Sequence, residues 1–241
     1  MTTKILRPSL LRPFHQPPSQ AASLIPRRTF LTTTPADLTA SRTFNYPALA
    51  IYDIIADISS YPSFLPYCRS ANVLSLSKPD AHYQRRWPQR ATLTIGYGDS
   101  ITESYTSRVY CVPPTSEEGR AGVGYVEAVS GKAGHQLDEE HVKHHEGAEE
   151  VGQEEAKASP MEYLRTRWTV RAYPFKPSAD QGKAEGKDLS AFEKCDVSLN
   201  IQYKFSNPAY DLMSRAVAPK MADVMVEAFE KRVHSLLGGK K

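Results

Sequence analysis

The chain has 241 residues, 40% of them hydrophobic and 24% charged, with a formal net charge of +3. That length fits one ordinary domain with a sizeable core plus additional segments, and no apolar run approaches the ~18 residues of a transmembrane helix. Lys4, Arg7, Arg12, Arg27 and Arg28 lie within the first 35 residues, which contain no Asp or Glu; without these five cations the formal charge is about −2, so the basic balance gives no support to a nucleic-acid partner.

Residues 1–35 have the basic, acid-free, Ser/Thr-containing composition of a mitochondrial transit peptide, and Arg28-Thr29-Phe30-Leu31-Thr32-Thr33 reads as a processing site. The alternative is a disordered basic tail. Residues 36–241 are then the folded domain. Cys68, Cys111 and Cys195 have no close pairing and an odd count, which argues against a disulfide framework and a zinc site.

A first strand is expected at 39–45. Asn45 to Ser70 comes next, NYPALAIYDIIADISSYPSFLPYCRS. Pro47 suits a first helical position, and Leu49, Ile51, Tyr52, Ile54, Ile55 and Ile58 recur at helical spacing. Ser59 and Ser60 end that helix. Tyr61-Pro62-Ser63-Phe64-Leu65-Pro66-Tyr67-Cys68 is an elbow: two prolines forbid a long helix, yet its large apolar side chains exceed what a surface loop carries.

Arg69 to Ser77 reads as a strand. Ala91, Leu93, Ile95 and Tyr97 alternate with Thr92, Thr94, Gly96 and Gly98, the period of a half-buried strand. Gly98-Asp99-Ser100 is a turn into a strand over 101–112, and 123–129 supplies another. Leu164, Trp168, Val170 and Ala172 form an apolar face backed by Arg165, Arg167, Thr169 and Arg171. Val197, Leu199, Ile201, Tyr203 and Phe205 alternate with polar residues without a break. These are antiparallel strands with one face toward a core and one toward water. The last element is one helix over about 208–237, capped by Ser206 or Asn207 and kinked at Pro219. Its wide apolar stripe includes Met213, Val217, Met221 and Met225.

Residues 113–160 interrupt the pattern. From 133 to 160 there are eight acidic residues, two lysines and four histidines, a composition expected to form a disordered insertion. Residues 174–190 make a second polar loop. His141, His144 and His145 have only a loose metal-ligand spacing, and Gly96-Tyr97-Gly98 and Gly122-Val123-Gly124 lack the third glycine and helix start of a phosphate loop. No nucleophile elbow or nucleotide loop is present.

The elbow and three later segments resemble the mitochondrial coenzyme Q-binding protein family, a START-like, polyketide cyclase-like group of lipid-binding domains. The resemblance runs along Tyr52-Asp53-Ile54-Ile55-Ala56-Asp57, Tyr61 to Cys68, Ala91-Thr92-Leu93-Thr94-Ile95-Gly96-Tyr97-Gly98 and Tyr105-Thr106-Ser107-Arg108-Val109. It resumes at Leu164-Arg165-Thr166-Arg167-Trp168 and runs from Cys195 through Ala228-Phe229-Glu230-Lys231-Arg232. Leu65-Pro66-Tyr67-Cys68 stands where the family more often has Val-Pro-Trp-Cys, and 113–160 is longer and more acidic than is usual.

The resemblance implies an α+β helix-grip fold, an antiparallel sheet wrapped around a long C-terminal helix with an apolar tunnel between them. It also implies a protein that binds coenzyme Q (ubiquinone) or a late polyprenylated precursor without catalysis. Such a protein would sit peripherally on the matrix side of the inner mitochondrial membrane, with coenzyme Q biosynthetic proteins as further partners and no cofactor beyond the bound quinone. On that reading Tyr61, Phe64, Leu65, Pro66 and Tyr67 form the tunnel mouth. Ile95, Tyr97, Trp168, Tyr203 and Phe205 line the sheet side, and Met213, Val217, Met221 and Met225 close it from the helix. Tyr97 and Trp168 are the expected hydrogen-bond donors to quinone oxygens, and Arg165, Arg167, Arg171, Lys231 and Arg232 are the candidate contacts to anionic headgroups. Two other classes stay open: a cyclase- or hydratase-type enzyme of the same fold, and a protein-interaction module of the kind linked to ribosome association in bacterial relatives.

Overall fold

Period-two and period-3.6 hydrophobic patterns alternate along this chain, and each becomes the element its period dictates. The computed structural model describes residues 34–97, 101–117, 120–147, 159–173, 194–217 and 220–239. They comprise β1 (Ala36–Phe44), α1 (Ala48–Ala56), β2 (Cys68–Leu76), β3 (Pro88–Tyr97), β4 (Ile101–Val112), the two-residue strands β5 (Ser116–Glu117) and β6 (Arg120–Ala121), β7 (Val123–Gly131), β8 (Met161–Tyr173), β9 (Lys194–Phe205), α2 (Pro208–Val217) and α3 (Met221–Leu237). The expected transit segment, the 98–100 turn, the 174–190 loop and Pro219 lie at positions outside the described residues, apart from Thr34 and Pro35. The elements named here all lie within Thr34–Lys241.

Seven strands form one antiparallel sheet in the order β1-β9-β8-β7-β4-β3-β2. In β9, Cys195, Val197, Leu199, Ile201, Tyr203 and Phe205 are all buried, the alternation of a strand with one core face. α1 buries Ile51, Tyr52, Ile54 and Ile55 against that face, and α3 buries Ala222, Val226, Phe229 and Val233, the spacing of one helical stripe. This is the α+β arrangement that the sequence led us to expect: an antiparallel sheet gripping a C-terminal helix.

A bulge in β8 aims its first residues. Met161 pairs with Phe205 but Tyr163 pairs with Lys204, so one extra residue is inserted. Gly131 makes room for it. With φ +63, a Cβ there would sit 2.4 Å from the Glu162 carbonyl oxygen, which only glycine avoids.

Three expectations need correction. First, the single C-terminal helix is two helices, Pro208–Val217 and Met221–Leu237. Exposed Leu212, Val224 and Leu236 show that the apolar stripe is not buried throughout. α2 is fixed at its start, where Asn207 Oδ1 accepts the Ala209 N–H at 2.9 Å. Its Asp211 is buried, accepts the Phe205 N–H at 3.3 Å and pairs with Arg215 at 2.9 Å.

Second, the part of 113–160 that is described is folded. Residues 131–147 lie over the outer face of the sheet, where Ala133, Val142 and Leu137 pack with Tyr110, Val112 and Val129. His145 is buried there: its Nε2 accepts the Cys111 N–H at 2.9 Å, while His144 Nε2 meets the Cys111 carbonyl oxygen at 2.8 Å. Burial holds the His145 pKa down to about 3, so it stays a neutral acceptor. A few apolar residues suffice for this cover because β4 and β7 present an apolar patch to it, a non-local fact that composition cannot reveal. Residues 148–158 lie outside the described residues.

Third, β8 does not carry a free cationic outer face. Arg165 is buried and donates to Gln202 Oε1 at 2.7 Å. Arg167 pairs with Glu127, which is fully buried. Arg171 alone of the three is exposed.

Asp80 organises the β2–β3 connection. Its carboxylate accepts the N–H groups of His82, Tyr83 and Arg85 and the indole N–H of Trp87, at 2.6 to 3.0 Å. Burial alone would raise its pKa; these four donors, Tyr83 foremost, outweigh it and hold the carboxyl below its ordinary value. A depressed carboxylate pKa contributes stability that is complete above the unfolded value of ~3.9 and disappears as pH falls through the lower folded value. Asp80→Asn should therefore destabilise the domain by about 2 kcal/mol at neutral pH, and the deficit should shrink below pH ~4. Denaturant titrations at several pH values would test this; a deficit that does not change with pH would contradict it.

Candidate ligand-binding site

The elbow is built by hydroxyls that satisfy its carbonyls. α1 ends at Ala56, and a 3₁₀ helix, Ile58–Ser63, turns the chain. Ser60 Oγ donates to the Asp57 carbonyl at 2.8 Å and Ser63 Oγ to the Ser60 carbonyl at 2.6 Å, so local hydroxyls replace the helical ladder that Pro62 interrupts. Tyr61 is buried and donates its phenol to the Ile55 carbonyl at 2.7 Å. Burial drives that phenol far above its ordinary pKa, so it remains a neutral donor. The turn closes at Tyr67, which has a left-handed φ of 65° and is held by the Gly96 N–H on its carbonyl at 2.9 Å. That geometry leaves the Tyr67 ring 46% exposed while Leu65 is only 6% exposed.

Beneath the elbow lies an apolar cavity of about 120 Å³. Leu65, Pro66, Tyr67 and Cys68 form one side, and Leu93, Ile95 and Tyr105 come from β3 and β4. Met161, Leu164 and Thr166 come from β8, Ile201, Tyr203 and Phe205 from β9, and Leu38 from β1. Ser214 of α2 and Met221 and Met225 of α3 complete it. The polar groups on this lining are hydroxyls and one thiol, with no carboxylate, imidazole, amine or guanidinium among the described lining residues. Burial raises the pKa of the Cys68 thiol, which keeps it protonated.

Eight sequence-predicted residues meet at this cavity: Leu65, Pro66, Tyr67, Ile95, Tyr203, Phe205, Met221 and Met225. Phe64 instead faces a surface groove shared with Val224, Ala228, Lys231 and Arg232. Tyr61 is committed to the Ile55 carbonyl. The side chains of Tyr97, Met213 and Val217 lie outside the described residues. Trp168 is displaced from its expected role: it is buried with its ring centroid 5.1 Å from that of Phe229 and does not line the cavity. Period two reports the face of a residue but not its position along the strand, and Trp168 sits beyond the cavity in the ring cluster that seals it.

Several lining residues escaped the sequence reading. Leu93 and Ile201 lie on the same faces as Ile95 and Tyr203, so alternation alone would have found them. Thr166 carried a sharper signal, a polar residue on the apolar face between Leu164 and Trp168. Leu38, Met161 and Ser214 had no local signal, because their place depends on how β1, the β8 bulge and α2 come together.

Phe64 and Phe229 are 6.2 Å apart, Phe44 and Phe229 5.6 Å, so the elbow, β1, β8 and α3 share one aromatic cluster. Tyr67 on the cavity lining, Val224 in the Phe64 groove and Leu212 of α2 are exposed, Leu212 by 73%. Lys231 is exposed and bonded to Glu227 at 2.8 Å, and the Arg232 guanidinium lies 6.0 Å from the centroid of the Phe64 ring. No helix among the described residues is long and apolar enough to cross a membrane.

Known proteins share the pattern of this chain over most of its length. Residues 44–230 match the family model described as polyketide cyclase / dehydrase and lipid transport. The chain is 26% identical to the mitochondrial coenzyme Q-binding protein COQ10 of Eremothecium gossypii, over 96% of this chain and 90% of that one. A stretch of 73 residues, 30% of this chain and 44% of the relative, is 37% identical to the ribosome association toxin RatA of Pseudomonas aeruginosa. A START superfamily protein from Mycobacterium smegmatis aligns with a TM-score of 0.47 at 13% identity, covering 83% of this chain and 98% of that structure. With its family match running from the end of β1 into α3, the chain belongs to the polyketide cyclase / dehydrase and lipid transport family.

Proposed function

We propose that this protein binds coenzyme Q or a late polyprenylated precursor without transforming it, and presents it at a membrane surface. The observation that carries this reading is the cavity under the elbow, lined by aliphatic, aromatic and hydroxyl groups, in a chain alignable over 96% of its length with a relative named for coenzyme Q binding. The lack of a charged general acid or base among the described lining residues supports holding over turnover. The mitochondrial name of that relative and the basic, acid-free first 35 residues support a mitochondrial site of action. We place the protein peripherally on the matrix side of the inner membrane, in support of respiration and coenzyme Q biosynthesis and near the enzymes of that biosynthesis.

Energetics favour presentation over storage. Burying a methylene is worth ~0.8 kcal/mol against water, but a polyprenyl tail already lies in hydrocarbon and gains little by entering a tunnel. The cavity is also well below the roughly 300 to 1,000 Å³ of pockets that enclose drug-sized ligands. The cavity itself therefore takes a ring, and the tail stays outside it. The exposed Leu212, Tyr67 and Val224 would dip into the bilayer during exchange.

The RatA similarity favours a second reading, a module that binds a macromolecule, but it covers only 30% of the chain. The readings separate experimentally. Ile95 is half-buried on the cavity wall, so Ile95→Trp should fill the space and lower quinone uptake from vesicles by at least about tenfold, while shifting Tm by no more than about 3 °C. Leu65→Lys is a poorer probe because Leu65 is buried and the charge would cost stability. Unchanged uptake in folded Ile95→Trp would remove the cavity from the function. Leu212→Asp should weaken binding to anionic-lipid vesicles by about tenfold in a sedimentation assay; equal binding would show that α2 is not part of the membrane-facing surface.

A further inference from the structure

Hydroxyls on the cavity wall differ in whether they are already used. Ser214 Oγ donates to the Asp211 carbonyl at 2.8 Å, and the Cys68 thiol contacts the Ser70 carbonyl at 3.6 Å. Tyr105 lies within electrostatic reach of the Tyr61 phenol. Thr166 and Tyr203 both line the cavity, and neither side chain has a hydrogen-bond partner among the described residues. Tyr203 is 7% exposed and Thr166 half-buried, and neither hydroxyl oxygen is among the fully buried polar atoms that lack a partner. Both hydroxyls are therefore open to whatever occupies the cavity and free to bond its polar atoms.

The register places these two residues on adjacent strands of the same wall. Thr166 pairs with Ile201 and Leu164 with Tyr203, so Thr166 and Tyr203 are diagonal neighbours on one face, roughly 7 Å apart by strand geometry. They form a single polar patch on an otherwise apolar wall, on strands β8 and β9 rather than at the rim. We propose that this patch receives the oxygen-bearing ring of the ligand, with Thr166 Oγ1 and Tyr203 Oη donating to the carbonyl oxygens of the ring. This rests on the quinone reading above and specifies its orientation: the ring enters first and the tail leaves past Tyr67 and Met221 toward the rim. The dimensions agree. A cavity of about 120 Å³ suits a ring-sized group and not a polyprenyl chain, so the tail stays with the lipid. Hydroxyls both donate and accept, so the same pair serves the carbonyls of a quinone and the hydroxyls of its reduced form. Trp168, expected to donate here, is replaced in that role by Thr166, two residues earlier on the same face.

The test uses the full-length protein with Thr166→Val and Tyr203→Phe, singly and together, since both keep shape and remove only the hydroxyl. Binding of decylubiquinone is compared with that of decylbenzene, which has the same tail and no ring oxygens. The double variant should bind decylubiquinone about tenfold more weakly, with decylbenzene binding unchanged and Thr166→Ser retaining affinity. Unchanged decylubiquinone binding in the double variant would overturn the ring-first orientation and leave the quinone reading intact. Equal loss for both probes would also overturn it, showing that the substitutions alter the cavity as a whole. Failure of the unaltered protein to bind decylubiquinone would overturn the quinone reading itself.

Discussion

The buried ring of Phe229 is the contact on which the site depends. It meets Phe44 of β1, Phe64 of the elbow and Trp168 of β8 at centroid separations of 5.1 to 6.2 Å, so one side chain ties the helix to the sheet and to the turn above it. Aromatic pairs in such offset and edge-on arrangements contribute about 1 kcal/mol each beyond the area they bury. Met225 and Met221, one and two turns before Phe229, then overhang a space that the cluster does not fill. Ala222, Val226 and Val233 are buried with Phe229, so α3 is held along its length while Met221 and Met225 roof the cavity.

The opposite face of the sheet carries its own partial cover. Residues 131–147 lie on it through Val142, Ala133 and the buried, neutral His145, which holds the backbone of Cys111, beside an open groove lined by Val112, Tyr125, Leu137 and Arg167. Glu127 and Arg167 neutralise one another beneath it. β4, β7 and β8 are joined by continuous antiparallel ladders, and the methionines of α3 supply the adaptable side. In the function proposed above, the sheet reads the ring and the methionines tolerate tails of different length.

Strand periodicity made much of this legible in the amino-acid sequence. The unbroken alternation of β9 exposes its core face to inspection, and the two prolines around Phe64 and Leu65 identify an elbow with too many apolar side chains for a loop. What alternation cannot give is depth, which is why Trp168 was expected at the ligand and lies in the aromatic seal, and why Thr166 passed unnoticed beside it. Composition misled at 131–147, because a handful of apolar residues is enough when a distant strand pair supplies the complementary patch. The division into α2 and α3 falls where Pro219 led the sequence reading to expect a kink, whereas the even apolar stripe across 208–237 does not record that the two parts are separate helices.

Extraction of lipids from the purified protein, with quantitative mass spectrometry of the extract, tests the central claim most directly. The account predicts a polyprenylated quinone recovered in near-stoichiometric amount, or acquired to that level after incubation with quinone-loaded vesicles. A folded protein that stays empty under both conditions would contradict it.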